Sequence, residues 1–348
     1  MQPVWQGSAA LAFGLALMGC IYDVPDLLEG APVDCAHADL ATSRDHCGAC
    51  DHSCLGGACT DGHCEPSVVA NGQDFPSGLA LDATRVYWTT QEGGTITKAD
   101  KLDVENAVVV ADMQLGAYQI VEDGENLYWT NGAGNAVMTM AKENGTPNLF
   151  ASEAGPHAIA VDEEAVYWTM IGDEAFDQGF VRRKPKAGGP VQDLASDPGF
   201  LTAAAVEGDY LYWANKSILA FATNQIKRVP KTGGTVEVIA DAPGGPRGLA
   251  FYQGVLYWVE EGGAIQKWES GVVTPIVEAA FDLRDVAVDT GGIFATSNNG
   301  HEVVRLAPGS SELETLAEAQ LGAHDIAIDA TAVYWTNYGG KAVMRLAR

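Results

Sequence analysis

Val86-Tyr87-Trp88-Thr89 returns along the chain as Leu127-Tyr128-Trp129-Thr130, Val166-Tyr167-Trp168-Thr169, Leu211-Tyr212-Trp213-Ala214, Leu256-Tyr257-Trp258-Val259 and Val333-Tyr334-Trp335-Thr336. A weaker seventh copy is Ile293-Phe294-Ala295-Thr296. Taking the Trp column at 88, 129, 168, 213, 258, 295 and 335, the intervals are 41, 39, 45, 45, 37 and 40 residues. Each interval has room for four short strands.

The aromatic tetrad reads as the second strand of each unit. A first strand such as 78–82 precedes it, and a third such as 226–230 and a fourth such as 236–240 follow. Pro-Lys-x-Gly-Gly turns at 185–189 and 230–234 join third to fourth strands. Seven such units imply an all-β fold, a seven-bladed β-propeller over residues 65–348. The last repeat carries only three strands, so Ser67 to Ala70 is expected to supply the fourth and close the ring, which removes two exposed sheet edges.

This region is similar to bacterial propellers related to the YWTD repeats of the lipoprotein-receptor family, and more loosely to NHL and TolB propellers. It departs from the receptors in two ways. The fourth letter of the motif is never Asp, and there are seven repeats where the receptors have six, so receptor-type partners do not carry over. The Tyr-Trp pairs read as core, each ring removing ~150–250 Å² from water. An Asp column six residues before the Trp, at Asp82, Asp123, Asp162, Asp289 and Asp329, reads as turn capping.

Upstream of the repeats the composition changes twice. Residues 1–19 carry no charged side chain, and 9–18 form an apolar run of export-signal length. The run ends in Leu17-Met18-Gly19-Cys20, which resembles the lipobox of bacterial lipoproteins. That resemblance implies acylation of Cys20 and anchoring in the bacterial cell envelope, at the outer membrane or cell surface. Met1 to Ser8 lacks the Lys or Arg a signal normally begins with, which marks a weak signal; an ordinary cleaved signal is the alternative to anchoring. Residues 20–34 read as a tether.

Six cysteines follow within 35–64: Cys35, Cys47, Cys50, Cys54, Cys59 and Cys64. An even count in an exported segment implies disulfides, and three bridges at ~2–4 kcal/mol each would hold a piece of chain too short for a core. Spacing leaves the pairing open. The run Asp45-His46-Cys47-Gly48-Ala49-Cys50-Asp51-His52-Ser53-Cys54 with Cys59 and Gly62-His63-Cys64 resembles the repeat of plant stigma-specific proteins, which implies a disulfide module without an activity. His37, His46, His52 and His63 among these cysteines keep zinc as the competing reading. No bound metal or cofactor is expected, and loss of residues 1–64 should leave the propeller's stability unchanged.

The charge balance is 46 acidic against 20 basic residues, a net −26. Nucleic acid and anionic lipid are therefore poor partners, and membrane contact is expected through the lipid alone. With 47% hydrophobic residues, the acidity belongs to a folded surface.

Repeats separate structural positions from variable ones. The column eleven before the Trp holds Ser77, Tyr118, His157, Thr202, Arg247, Arg284 and His324, seven polar residues at the starts of the innermost strands. Those starts surround one mouth of the central channel. Loops on the same face contribute Asn131, Asn215, Glu260, Asn298, Asn337 and Tyr338. On an acidic protein, two Arg and two His gathered there form a positive focus for an anionic small ligand or an unknown protein partner. The structural alternative pairs these cations with Asp285 and Asp325.

No nucleophile elbow, zinc-protease helix or phosphate loop is present, so no catalytic residue is assigned. The reading is a lipid-anchored envelope protein that binds through its propeller face without catalysis. Lyases of the virginiamycin-B type use His and Glu at a channel mouth, and His157, His324 and Glu260 offer the same residue types, which makes such a lyase the second reading. The basic run Arg182, Arg183, Lys184 and Lys186 reads as a charge-guarded exposed edge.

If Cys20 carries lipid, cells fed a labelled fatty acid should label the parent protein and not Cys20→Ser. Equal labelling of both would end the anchor reading.

Overall fold

A computed structural model describes residues 39–171, 179–217 and 224–348. Cys20, Cys35 and His37 lie outside the described residues. From Pro76 the chain builds seven four-stranded antiparallel sheets. Blade one runs Pro76–Leu81, Arg85–Thr90, Thr95–Asp100 and Val108–Ala111. Blade seven contributes Ala323–Ile328, Ala332–Asn337 and Ala342–Ala347, and its outer strand is Ser67–Asn71, paired Val68 to Met344 and Asn71 to Ala342. The ring closes with the segment expected from the sequence. Elsewhere the expected strands fall within a residue or two of Pro76–Leu81, Gln225–Pro230 and Glu237–Asp241.

The Tyr-Trp pair explains the blade stacking. Neighbouring residues of a strand point to opposite faces, so each pair serves two seams. Trp129 packs in one cluster with Tyr87 of the preceding blade, Trp168 with Tyr128, Trp213 with Tyr167, Trp258 with Tyr212, and Trp88 with Tyr334 across the closure. All six Trp are at 0% exposure, so the rings are core as expected.

The Thr that follows the Trp is the second seam element. Its hydroxyl donates to a carbonyl at the start of the next blade's inner strand: Thr89 to Tyr118, Thr130 to His157, Thr169 to Leu201, Thr296 to His324 and Thr336 to Ser77, at 2.5–3.2 Å. The same oxygen accepts a main-chain N–H from its own blade, as Thr89 does from Gly78. Blades four and five carry Ala214 and Val259 instead. At the first of these seams Thr202 replaces the missing hydroxyl by donating to the Pro246 carbonyl at 2.9 Å. At the second, the Gly248 N–H reaches the Arg284 carbonyl at 3.1 Å.

The Asp column does more than cap turns. Asp82 accepts the Thr84 and Arg85 N–H groups and the Tyr87 hydroxyl. Each carboxylate then takes a cation from the next blade: Lys142 to Asp82, Lys186 to Asp123, Lys231 to Asp162, Lys101 to Asp329 and Arg348 to Asp289. Partial burial acts to raise these carboxyl pKa values, but turn amides and the cation prevail and hold Asp82, Asp123, Asp162 and Asp329 below the usual range. Lys186 and Lys231 belong to the Pro-Lys-x-Gly-Gly turns, so those turns also clamp the ring.

Two expectations are corrected. The basic run guards no edge, because Phe180–Pro185 is the third strand of blade three, paired on both sides. Its side chains join seams, with Arg182 on Glu153 and Asp193, Lys184 on the Phe150 carbonyl and Lys186 on Asp123. The cysteine module is not independent of the propeller, and 38–348 form one compact unit. Cys47–Cys59 and Cys54–Cys64 are bridged and Cys50 is also disulfide-bonded, so these sulfurs are not zinc thiolates. The module sits on the closing blade. Buried Arg345 donates to the Leu55 and Lys101 carbonyls and to Ser67 Oγ, and His52 Nε2 donates to the Arg348 oxygen at 2.9 Å.

Deleting 1–64 removes one acceptor from Arg345 and should lower the thermal midpoint by a few degrees, at about 1–3 kcal/mol for a buried donor left unpaired. Deleting 1–71 also strips the outer strand and should lower it much further. Circular dichroism melts giving one midpoint for both truncations would contradict closure by 67–71.

Candidate functional site

The seam hydroxyls position the mouth. Each Thr bond fixes the carbonyl of a residue in or beside the column eleven before the Trp, so that column is held from behind by core contacts. All seven members stand at the starts of the inner strands. Tyr118, Thr202, Arg247, Arg284 and His324 line one small cavity together with Gln119, Asp285 and Asp325. His157 stacks against Tyr118, ring centroids 4.4 Å apart. Ser77 is buried at 1% exposure, its hydroxyl on the Phe75 carbonyl, and Thr202 is spent on the Pro246 seam. These last two are structural members of the column.

Arg284 crosses the mouth. Its Nη2 donates to Tyr118 Oη, which belongs to blade two, and to His324 Nε2, both at 2.7 Å. Since Arg cannot accept, His324 must be neutral and carry its proton on Nδ1. Below this bar the cavity holds about 20 Å³, room for about one water.

The two histidines are not part of the positive focus. Burial, then the charge of Arg284, drives the His157 pKa down to about 3 and lowers that of His324 well below the usual value. The focus consists of Arg247, Arg284 and Lys216, and Lys216 was not anticipated. Arg247 and Lys216 share a single carboxylate, Glu261, with Lys216 Nζ at 2.5 Å. Arg284 has no carboxylate within 4 Å among the described residues. Burial, then repulsion from Arg284, lowers Arg247 to about 10, and burial followed by both arginines lowers Lys216.

Asp285 and Asp325 do not neutralise the arginines. Each reaches forward to the next inner strand, Asp285 accepting the Ile326 N–H at 3.1 Å and Asp325 the Leu79 N–H at 3.2 Å. Burial raises both; Asp285 raises Asp325 further while the hydrogen bond with Asp325 acts to lower Asp285, as in a pair whose carboxyls share one proton.

The polar loop residues also turn out differently from expectation. Asn131 and Asn337 donate to Gln114 and Gln320, and Asn215 to the Pro198 carbonyl. Glu260 is saturated by Trp258, Gln266 and the Gly244 N–H. These side chains are buried and engaged in internal hydrogen bonds, Glu260 with an indole and a loop amide and the three Asn through their amide N–H groups. Gln73, Gln114 and Gln320 accept the Nε1–H of Trp88, Trp129 and Trp335. They form a column fifteen before the Trp that the repeat spacing alone would have shown. Tyr338 does stay at the mouth, stacked on His324 at 5.6 Å with its hydroxyl on Gln91.

No protein-family profile and no curated protein matches the sequence. Solved structures do match. A virginiamycin B lyase from Staphylococcus aureus aligns with TM-score 0.68 and 15% identity over 82% of this chain and 98% of that one. A chain of a nidogen/laminin complex aligns at 0.54 and 15% over 70% and 96%. A gluconolactonase, XC5397 from Xanthomonas campestris, aligns at 0.53 and 15% over 81% and 89%. At such identity the likeness establishes the propeller fold alone.

Neutral burial of His157 and His324 has a pH consequence. Unfolded histidine binds its proton near pH ~6.5, while folded His157 resists down to about 3, so stability falls as pH drops through that window. Asp285 and Asp325 contribute with the opposite sign: folding raises their affinity for a proton, so the stability they add is present in acid and is lost as pH rises through their raised folded values. His157→Phe, which preserves the stacking with Tyr118 and Phe200, should make the fall in thermal midpoint between pH 7 and 5 shallower. An unchanged slope would show that His157 is not held neutral.

Proposed function

We propose that this chain is a lipid-anchored envelope protein whose propeller mouth binds an anionic group and performs no chemistry on it. The observation that carries this reading is the charge count at the mouth. Three cations, Lys216, Arg247 and Arg284, gather around one ion-paired carboxylate, Glu261, and the single charge that Asp285 and Asp325 share, in a protein of net charge −26. Elsewhere the described Lys and Arg side chains of the seams have acidic partners or carbonyls. Holding like charges together half-buried costs free energy, which an anion arriving between them recovers.

The structural neighbours support a binding role in general terms: one was crystallised with quinupristin and another within a nidogen/laminin complex. The lyase reading has less behind it. Its acid–base set needs Glu260 at the mouth, and three internal donors hold that carboxylate at 1% exposure. His324 is a hydrogen-bond acceptor for Arg284, which removes the nitrogen a base would use.

Calorimetric titration with inorganic phosphate tests the proposal. The parent should bind, and Arg247→Ala with Arg284→Ala should weaken binding at least tenfold. The thermal midpoint should stay within a few degrees, since Glu261 retains Lys216. A parent that binds no phosphate, or a stable double variant that binds it equally well, would sink the proposal.

A further inference from the structure

One position in the repeat breaks its own rule. The residue thirteen before the Trp is Gly116, Gly155, Gly245 and Gly322 in blades two, three, five and seven, with φ of 66°, 56°, 85° and 67°. This left-handed turn carries the chain onto the inner strand, and glycine adopts it without steric cost. Blades four and six carry Phe200 and Asp282 there without a left-handed backbone, and in blade one the position is Phe75, at φ 56°. A bulky residue in that region is strained, and such strain persists where the side chain is needed at that place.

The Phe75 ring stands at the mouth. It meets Tyr338 with centroids 4.7 Å apart at 57°, and Tyr338 in turn stacks on His324, the acceptor of Arg284. Aromatic contacts thus run without a break from blade one to the unneutralised guanidinium of Arg284. Lys341 Nζ lies 5.0 Å from the Phe75 ring centre, its other partner being Asp74 at 3.2 Å. On either side of blade one, Leu321 and Leu115 are 53% and 64% exposed. The mouth therefore has Phe75, Tyr338 and the exposed leucines over blades seven, one and two, and its three cations over blades four, five and six, where Phe200 lies beside Arg247.

We infer that the ligand of this mouth is an amphipathic anion in which a short spacer joins a carboxylate or similar group to a flat apolar ring, the ring resting on Phe75 and Tyr338 and the anion facing Arg284. This rests on the anion-binding reading and adds the half of the ligand that charge does not specify. Flat rings recover stacking and area burial on the aromatic pair. A bare anion uses only the cationic side, and gives no reason for a repeat to exchange glycine for phenylalanine at a left-handed residue.

Three probes separate the two halves in calorimetry on the full chain: butyrate, 3-phenylpropan-1-ol and 4-phenylbutyrate. The parent should bind 4-phenylbutyrate at least tenfold more tightly than butyrate. Phe75→Gly, which installs the residue of four sister repeats and relieves the strain, should abolish that advantage and leave butyrate affinity unchanged. Tyr338→Leu should reduce the advantage as well and serves as the second variant should Phe75→Gly fold poorly. Equal parental affinity for butyrate and 4-phenylbutyrate, with dependence on Arg284, would overturn the ring and leave the anion site standing. Equal binding of 4-phenylbutyrate and the alcohol, lost in Phe75→Gly, would keep the ring platform and overturn the anion. Absence of binding by all three at millimolar concentration would overturn both.

Discussion

Everything in this molecule depends on the seam between one blade and the next. A four-stranded sheet of about 40 residues cannot bury two faces by itself, and an open row of such sheets would expose its first and last faces. The ring works because most seams join blades through three layers of side chains that recur with the repeat. The deepest is the Trp of one blade against the Tyr of the one before. Above it, the Thr hydroxyl ties two inner strands, and below it, an Asp–Lys bridge ties the turns of the opposite face. The layers differ in kind, one apolar, one neutral and polar, one ionic, so the loss of one residue type at a seam leaves the others in place.

Blade six shows that redundancy. It has Ala295 where its siblings have Trp, and Phe294 where they have Tyr, so Asp289 has no phenol to accept. Arg348 fills the gap, its guanidinium on Asp289 and stacked over Phe294 at 4.6 Å. The module does similar work at the closure, where the Leu55 carbonyl completes the hydrogen bonding of buried Arg345. The cysteine-rich segment is thus a bracket over the join between chain start and chain end. Its disulfides stiffen a part with little apolar core, which can then hold the join in place.

The same bookkeeping of charge defines the mouth. A protein with 46 acidic residues has carboxylates to spare for every cation, and it uses them along the seams. Only where the innermost strands begin does the balance reverse, with Arg284 spanning the channel on neutral partners. Of those partners, His324 is held neutral by burial and by the charge of Arg284, which keeps its acceptor nitrogen available to the bar. A fixed site with an excess of cations favours recognition by charge, and the aromatic contacts beside it supply the shape.

Much of this was legible before any coordinates. Period and motif determined seven blades, because a Trp recurring every forty or so residues has no other economical burial. They also determined the outer strand at 67–70, the turn-capping Asp column and the ring of residues at the starts of the inner strands, all of which follow from counting outward from the Trp. Counting could not show the ion bridges from Lys101, Lys142, Lys186 and Lys231, because their spacing from the Trp changes with loop length while their position in space does not. Nor could it show that Glu260 and the three Asn turn inward, that His157 and His324 are neutral, or that Arg247 answers to Glu261 and not to Asp285. Those outcomes depend on which groups lose water and which neighbours stand within a few ångströms across a seam, and only packed blades decide that. The position of Phe75 was visible as a broken glycine column, but its meaning required the left-handed backbone and the ring of Tyr338 beside it.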